Sequence, residues 1–362
     1  MIAFHTDLDN TLIYSYKHDI GPRKRNVELY QGREISYITE ETYHLLQLVK
    51  NEMLIVPTTT RTLEQYQRID LGIGPFPYAL VCNGGVLLVN GVPDEAWYQD
   101  SLHLVSDSRE EMNLAMELLE REPRRKFELR YIEKLFIFTK CNDPETVVND
   151  LKTSLDTKYV DVFSNGEKVY VVPQTLNKGT AVDRLREKLK PEFVIAAGDS
   201  TFDIPMLSTA DRGLVPSGFT QKYEIPKTSG ARKKIDEMTS KKIFSDALLE
   251  KVIKIKTESV AAGIIHTGYY HLQQTPFLVC EVKCQPLIHT HTDSALPLRR
   301  LNNHCNRTIP MPLKLVRLPG SLSDKRFPRN ISRHLRITMS ISNPAYNSVR
   351  INRDRILRHH IA

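Results

Sequence analysis

Two carboxylates stand one residue apart, directly after the first apolar segment of the chain. Residues 2–4 form that segment, and Asp7 and Asp9 follow it. A short apolar run is typical of a buried strand, and in an open parallel sheet the ligand site lies at the carboxyl ends of the strands. We therefore expect both carboxylates at the ligand-binding edge of such a sheet.

Apolar periodicity on both sides of the middle of the chain predicts an α/β core. Residues 39–52 have helical spacing, and residues 53–56 read as a second strand. The alternation returns with a helix over residues 177–189, a strand at 193–197 and a helix from Asp203. This order is typical of a Rossmann-like parallel sheet covered by helices.

A block with a different pattern interrupts that alternation. It contains an amphipathic helix over residues 108–121, a helix start at Asp143-Pro144 and a tight hairpin at Asn165-Gly166. We interpret the block as an inserted α+β cap. The predicted domains are a core of residues 1–85 and 175–258 and a cap of residues 86–174.

The last hundred residues differ in composition from the rest. Residues 262–362 carry fifteen lysines and arginines against four acidic residues, a net +11 that leaves −4 for residues 1–261. The cysteines and histidines of this tail have no usual zinc spacing, and without an aromatic pattern its arginines predict only non-specific attraction to nucleic acid. We expect a basic tail that is poorly ordered or foreign to the fold, such as a shifted reading frame.

Other global features favour a cytoplasmic protein. The five cysteines are an odd number without a repeated spacing, which favours reduced thiols. Polar residues begin at position 5, which leaves no room for a signal peptide, and no apolar run approaches the length of a membrane span. We therefore predict no membrane partner. The pattern does not address the oligomeric state.

The reactive side chains suggest phosphoryl transfer. Asp7 can attack phosphorus, while Asp9 can protonate the leaving group and then deprotonate water. Lys178, at a predicted helix start, can neutralise Asp7 and the phosphoryl group, and Thr59 offers a hydroxyl and a backbone N–H to phosphate oxygens. Clustered carboxylates beside an anionic substrate need a hard cation, and Mg²⁺ is the natural choice.

These residues together resemble the four motifs of the haloacid dehalogenase superfamily. Residues 4–12 resemble the first motif, Thr59 with Arg61 the second, Lys178 the third and residues 198–203 the fourth. Their order and spacing agree over about residues 1–255. The cap lies between the second and third motifs, with Asn83-Gly84 shortly before it. This position is similar to that of the class IIB cap in the Cof-type branch, which includes sucrose-phosphate phosphatases.

The resemblance implies a role for each motif residue. Asp7 would be the nucleophile and Asp9 the acid/base. Mg²⁺ would be held by the Asp7 carboxylate, the Asp9 backbone carbonyl and Asp199. Asp203 would support the metal or Lys178.

Three further positions are open on the sequence alone. Arg61 is either a ligand of the substrate phosphate or a solvated residue at a helix start, and Asn83 is either a substrate contact or a turn residue. Thr60 and Phe202 depart from the branch, which usually has glycine and asparagine there. Neither change removes a catalytic carboxylate, but both leave the substrate open.

The leading hypothesis is a Mg²⁺-dependent phosphatase that acts on a small sugar or polyol phosphate through an aspartyl-phosphate. Substrate choice would reside in the cap, including residues 134–170. A phosphomutase, which passes the phosphoryl group to a sugar, uses the same nucleophile. A non-catalytic protein with a nucleic-acid-binding tail is the alternative from another class.

Overall fold

A computed structural model describes residues 1–225 and 234–263 of the 362-residue chain. These residues belong to the first of two units, Met1–Tyr270, and the second unit is His271–Ala362. The predicted basic tail therefore lies outside the described residues beyond Gly263. The hypotheses of a zinc site or a nucleic-acid-binding arm in that tail stay predictions.

Strands and helices alternate along the described part. The strands are β1 (Ile2–Thr6), β2 (Tyr14–Ser15), β3 (Lys24–Tyr30), β4 (Arg33–Thr39), β5 (Leu54–Pro57), β6 (Tyr78–Val81), β7 (Val86–Val89), β8 (Val92–Pro93), β9 (Arg130–Ile132), β10 (Phe136–Lys140), β11 (Val160–Asn165), β12 (Lys168–Pro173), β13 (Phe193–Ala197), β14 (Arg212–Pro216) and β15 (Lys234–Met238). The helices are α1 (Glu40–Glu52), α2 (Leu63–Gln67), α3 (Glu95–Leu104), α4 (Arg109–Glu120), α5 (Pro144–Ser154), α6 (Lys178–Leu189), α7 (Ile204–Thr209), α8 (Phe219–Lys222) and α9 (Phe244–Ala261).

The central sheet is parallel and has the order β15-β14-β13-β1-β5. Strand β1 pairs in parallel with β13, the middle strand, on one side and with the edge strand β5 on the other. Every residue of these three strands is buried, as expected when helices cover both faces of a parallel sheet. The prediction of a Rossmann-like α/β core is confirmed, and its β1 ends immediately before Asp7.

Helices cover the two faces of this sheet. Leu46 of α1 and Leu248 of α9 pack in one apolar cluster with Phe4 of β1. Val182 of α6 and Met206 of α7 pack on the opposite face. Within residues 1–225 and 234–263, none of the helices is both long and apolar enough to cross a bilayer.

Side-chain caps fix where the helices next to the site begin. Asn177 is the N-cap of α6, and its side chain accepts a hydrogen bond from the backbone N–H of Thr180. The first residue of α6 is therefore Lys178, as the sequence predicts. Asp143 and Pro144 start α5 in the same predicted way.

A three-stranded antiparallel flap with the order β2-β4-β3 follows the first motif. The register between β3 and β4 shifts on both sides of Glu28, so β3 contains a bulge there. A bulge re-aims the side chain that it carries.

The cap contains an antiparallel sheet with the order β11-β12-β10-β9. One face of this sheet packs on α4 and α5, through a cluster that includes Met112, Val147, Ile137 and Val171. The hairpin predicted at Asn165-Gly166 joins β11 and β12. On the other face of the sheet, Phe136 and Val172 pack against Val81 and Val86 of β6 and β7.

The residues directly after position 85 pack with the core. Strand β7 pairs antiparallel with β6. Strand β6 lies beside the end of β5, where Leu80 forms a parallel bridge with Thr58. Leu87 and Trp97 share an apolar cluster with Leu185 of α6. Both β7 and α3 thus contact elements of the predicted core. The predicted domain boundary at residue 86 stays a prediction.

Candidate active site

A buried ammonium group joins two carboxylates at the carboxyl end of the central sheet. The Nζ atom of Lys178 donates to Asp7 Oδ1 over 2.7 Å and to Asp203 Oδ1 over 2.6 Å. Lys178 is only 1% exposed, and Asp7 is nearly as buried. Three segments far apart in sequence, after β1, at the start of α6 and after β13, therefore meet here as predicted.

Asp199 completes a cluster of three carboxylates with Asp7 and Asp203. Each of the three offers one oxygen, and these oxygens all lie within 4.8 Å of one another. Asp199 Oδ1 also accepts a hydrogen bond of 3.3 Å from the hydroxyl of Thr11 in the first motif. Oxygen ligands at this spacing are the donor set that Mg²⁺ prefers.

Within the cluster, Asp203 differs from the other two carboxylates because both of its oxygens are occupied. Oδ1 accepts from Lys178, and Oδ2 accepts from the backbone N–H groups of Asp199 and Ser200 and from the Ser200 hydroxyl. A Cβ atom on Gly198 would lie 2.3 Å from Asp203, so only glycine fits there. The predicted metal ligand Asp203 is therefore better suited to hold Lys178 and the Asp199 loop.

The pKa values of the cluster are shifted by burial and by the closeness of its charged groups. Burial raises the pKa of Asp7 well above its usual range, although Lys178 opposes that effect. Burial and the neighbouring Asp203 raise the pKa of Asp199 to about 7. Burial alone would lower the pKa of Lys178, but Asp203 and Asp7 raise it above its ordinary value. A divalent cation between Asp7 and Asp199 would relieve this repulsion, so the residues present fit Mg²⁺.

The predicted acid/base, Asp9, forms an ion pair with Arg61. Arg61 donates through Nε and through one terminal nitrogen to the two Asp9 oxygens, each over 2.7 Å. Its other terminal nitrogen donates to Glu28 Oε1 over 2.8 Å. The second-motif arginine is thus no solvated residue, because it bridges the first motif and the flap.

Sequence reasoning missed Glu28. Its side chain is fully buried and accepts from Arg61, from Arg68 over 3.2 Å and from the Ser36 hydroxyl over 2.6 Å. Burial would raise the pKa of Glu28, but the hydrogen bonds from Arg61 and Ser36 lower it below its usual value. Because a bulge in β3 aims this side chain inward, strand periodicity carries no signal for it.

Thr59 is buried behind the cleft. Its backbone N–H, expected to reach phosphate, donates instead to the Leu80 carbonyl over 2.8 Å. Its hydroxyl accepts from the backbone N–H of Arg61, which shapes the second-motif loop. Thr60 and Thr62, on either side of Arg61 in this loop, line the cleft.

Asn83 is not brought to the cleft. It is 3% exposed, has a φ of +59°, and its side-chain nitrogen donates to the Leu176 carbonyl over 2.9 Å. Its backbone N–H donates to the Thr59 carbonyl over 3.0 Å. The interpretation of Asn83 as a turn residue agrees with this geometry, and the predicted substrate contact does not.

A cleft of about 1120 Å³ lies over Asp7 and Asp199, lined by both core and cap. Phe202, where the branch usually has asparagine, lines it on the core side. The Phe202 ring meets the rings of Phe163 and Tyr170 of the cap edge to face, with centroids 4.7 and 5.1 Å apart. The departure at this position thus replaces a polar contact with an aromatic one between core and cap.

Comparisons with known proteins agree with this architecture. A family model described as haloacid dehalogenase-like hydrolase matches residues 87–215. No curated protein matches the chain. Among solved structures, a sucrose-phosphatase from Synechocystis is 20% identical, with a TM-score of 0.50, and the match covers 70% of this chain and 98% of that one.

Two other solved structures have lower TM-scores. A phosphatase of the same superfamily from Bacteroides thetaiotaomicron is 13% identical over 73% of this chain and 96% of that one, with a TM-score of 0.42. A trehalose-6-phosphate phosphatase from Aspergillus fumigatus is 14% identical over 71% of this chain and 93% of that one, with a TM-score of 0.39. The family match and the shared fold confirm the resemblance stated from the motifs.

Proposed function

We propose that this chain, part of which matches the family model of haloacid dehalogenase-like hydrolases, is a phosphatase that hydrolyses a small phosphorylated metabolite through Asp7. The observation that carries the proposal is the buried cluster in which Lys178 holds Asp7 beside Asp199 at the floor of an open cleft. The sucrose-phosphatase with this fold was solved with sucrose and phosphate bound, which supports a sugar or polyol phosphate as the substrate class.

In the first step, a carboxylate oxygen of Asp7 attacks phosphorus. A bond forms between that oxygen and phosphorus, while the bond from phosphorus to the ester oxygen breaks. Asp9 gives its proton to the departing alkoxide. The products of this step are an aspartyl-phosphate at Asp7 and a free alcohol.

In the second step, water attacks the aspartyl-phosphate. Asp9, now a carboxylate, takes a proton from the water, and the bond from phosphorus to the Asp7 oxygen breaks. Inorganic phosphate leaves and Asp7 is regenerated as a carboxylate. The same residue thus acts as acid and then as base.

Basic side chains handle the negative charge during both steps. Lys178 holds the Asp7 oxygen that it contacts, which directs the other Asp7 oxygen toward the cleft. Arg61 carries a planar array of donors within reach of Asp9, an arrangement that also suits the oxygens of a phosphoryl group. We propose that Arg61 is shared between Asp9 and the phosphoryl group.

The Asp7 and Asp199 carboxylates and the Asp9 backbone carbonyl would hold Mg²⁺. When bound, the ion would offset the mutual repulsion of these carboxylates and a phosphate dianion. Asp203 would contribute by fixing Lys178 and the Asp199 loop.

The substitution Asp7→Asn tests the proposal. Because the amide is a poor nucleophile, we expect turnover of 4-nitrophenyl phosphate with Mg²⁺ to fall at least about a thousandfold. Turnover is measured as released phosphate for this ester and for a panel of sugar and polyol phosphates. Stoichiometric phosphate release, without transfer to a second sugar, separates a phosphatase from a phosphomutase.

The matched control is Asp107→Asn, an exposed cap residue outside the cleft, which is expected to keep full activity. Chelation of divalent ions is expected to stop turnover, and added Mg²⁺ to restore it. Full activity of the Asp7→Asn protein, or activity without any divalent ion, would contradict the mechanism.

A further inference from the structure

The face of the cap sheet opposite α4 and α5 carries two rows of side chains. Alternation along the strands puts residues two apart on the same face, and the register joins them across strands. One row contains Arg130, Phe138, Tyr170 and Phe163, and the next contains Lys140, Lys168 and Asn165. The first row, the aromatic row, reaches the cleft through Arg130, Phe138 and Tyr170, and the second, the cationic row, reaches it through Lys168 and Asn165.

The aromatic row forms a continuous apolar surface. The ring centroids of Phe138 and Tyr170 are 5.4 Å apart, and those of Tyr170 and Phe163 are 5.5 Å apart and stacked. Phe202 of the core meets this surface at its end. An apolar or flat part of a leaving group can pack against these rings.

The cationic row contains an unusual pair. Lys140 and Lys168 are directly opposite each other on β10 and β12, where like charges destabilise a sheet. In the part of the chain that the structure describes, the side chain of Lys168 has no ion pair or hydrogen bond, and it lines the cleft. The adjacent Glu167 pairs with Lys126 instead.

The nearest acidic influence on Lys168 comes from the catalytic site itself. Partial desolvation at the mouth of the cleft lowers the pKa of Lys168, an exposed residue, while Asp9 raises it and Lys140 and Arg61 lower it again. The two Asp9 oxygens are already occupied by Arg61. The position near Asp9 is where the leaving-group oxygen must lie, so Lys168 faces the leaving group.

We propose that Lys168, supported by Lys140, binds a second anionic group on the leaving group of the substrate, while the aromatic row packs against the rest of that group. The substrate class is then a phosphomonoester with an additional carboxylate or phosphate. This inference rests on the proposed function, since it names the substrate of the same site. An anion between the two lysines would remove their repulsion.

Two matched pairs of esters test the inference and identify the anion. 3-Phosphoglycerate and glycerol 3-phosphate differ by a carboxylate, and fructose 1,6-bisphosphate and fructose 6-phosphate differ by a phosphate. We expect wild-type kcat/KM to favour the anionic member of one pair by at least about tenfold. The pair that shows the preference identifies the group.

The variant Lys168→Met keeps the length of the side chain and removes its charge. We expect it to reduce the preference to about twofold or less, because the selective contact is lost. The control Lys152→Met lies on α5, on the opposite side of the cap sheet, and is expected to keep the wild-type preference. Equal rates within both wild-type pairs, or a preference unchanged in Lys168→Met, would overturn the inference.

Binding separates this inference from the proposed function. Dissociation constants of the same four esters are measured by calorimetry with the Asp7→Asn protein, because this measurement does not depend on turnover. A thermal unfolding transition first shows that the variant is folded. If wild type hydrolyses no ester, the proposed function fails. The Lys168 inference is then decided by the ratio of dissociation constants, and equal or undetectable binding within both pairs rejects it.

Discussion

The Asp9 carboxylate has both oxygens bound to Arg61, so in the proposed mechanism this pair must loosen before Asp9 can transfer a proton. Arg61 is itself held by Glu28, a residue of the flap. A phosphoryl group entering the cleft would compete with Asp9 for the guanidinium. At the scale of single residues, Glu28 therefore positions Arg61, and Arg61 positions Asp9.

Glu28→Gln tests this arrangement. The glutamine leaves the guanidinium groups of Arg61 and Arg68 without their buried counterion, so we expect the free energy of unfolding to fall by about 2–4 kcal/mol. Because Arg61 is then less well placed for the phosphoryl group, KM for 4-nitrophenyl phosphate is expected to rise. Urea unfolding and steady-state kinetics measure the two effects.

Glu64→Gln is the matched control for that prediction. Glu64 also pairs with Arg68, but over 3.7 Å and with 86% of its side chain exposed. Exposed pairs contribute little, so unfolding and kinetics should both match wild type. A Glu28→Gln protein that behaves like this control would contradict a positioning role for Glu28.

At the scale of elements, one face of the cap sheet packs on its own helices, and the other contributes residues to the lining of the cleft. Ile137 and Val171 pack beneath α4 and α5, while their strand neighbours Phe138 and Tyr170 point to the cleft. Phe202 joins this second face to the fourth-motif loop. A single aromatic ring thus connects the loop that carries Asp199 to the hairpin of β11 and β12.

Phe202→Asn restores the residue that is usual in the branch and removes this connection. We expect the free energy of unfolding to fall by about 1–3 kcal/mol as the ring contacts with Phe163 and Tyr170 are lost. Hydrogen exchange of β11 and β12 should accelerate, while that of β13 should not change. Phe202→Leu keeps apolar bulk and should show a smaller effect, and exchange unchanged in both variants would contradict the predicted connection.

At the scale of the whole molecule, the residues of the proposed mechanism lie before Gly263, as do the apolar clusters that the structure describes around them. A chain that ends after Gly263 is therefore expected to keep Mg²⁺-dependent turnover of 4-nitrophenyl phosphate within about twofold of the full chain, because it keeps every contact of the site described above. Loss of turnover in the shorter chain, together with salt-sensitive nucleic-acid binding by the full chain, would favour the binding-protein alternative.

The amino-acid sequence by itself determined the layout of the fold and the members of the carboxylate cluster. Short apolar strands ending in Asp7 and Asp199, and an N-cap at Asn177, are local signals, because each depends on neighbours within a few residues. They sufficed to predict the parallel core, the inserted α+β block and the start of α6 at Lys178. The motif order then predicted which of these strand and helix ends meet.

Only the tertiary structure decided the contacts between segments. The pairing of Arg61 with Asp9 and Glu28 depends on a bulge in β3, and the opposition of Lys140 and Lys168 depends on strand register. Asn83 and the Thr59 backbone N–H were expected in the site, but they donate hydrogen bonds to the carbonyls of Leu176 and Leu80 instead. Tertiary packing determines which groups distant in sequence become hydrogen-bond partners. Local sequence patterns therefore do not predict these partners.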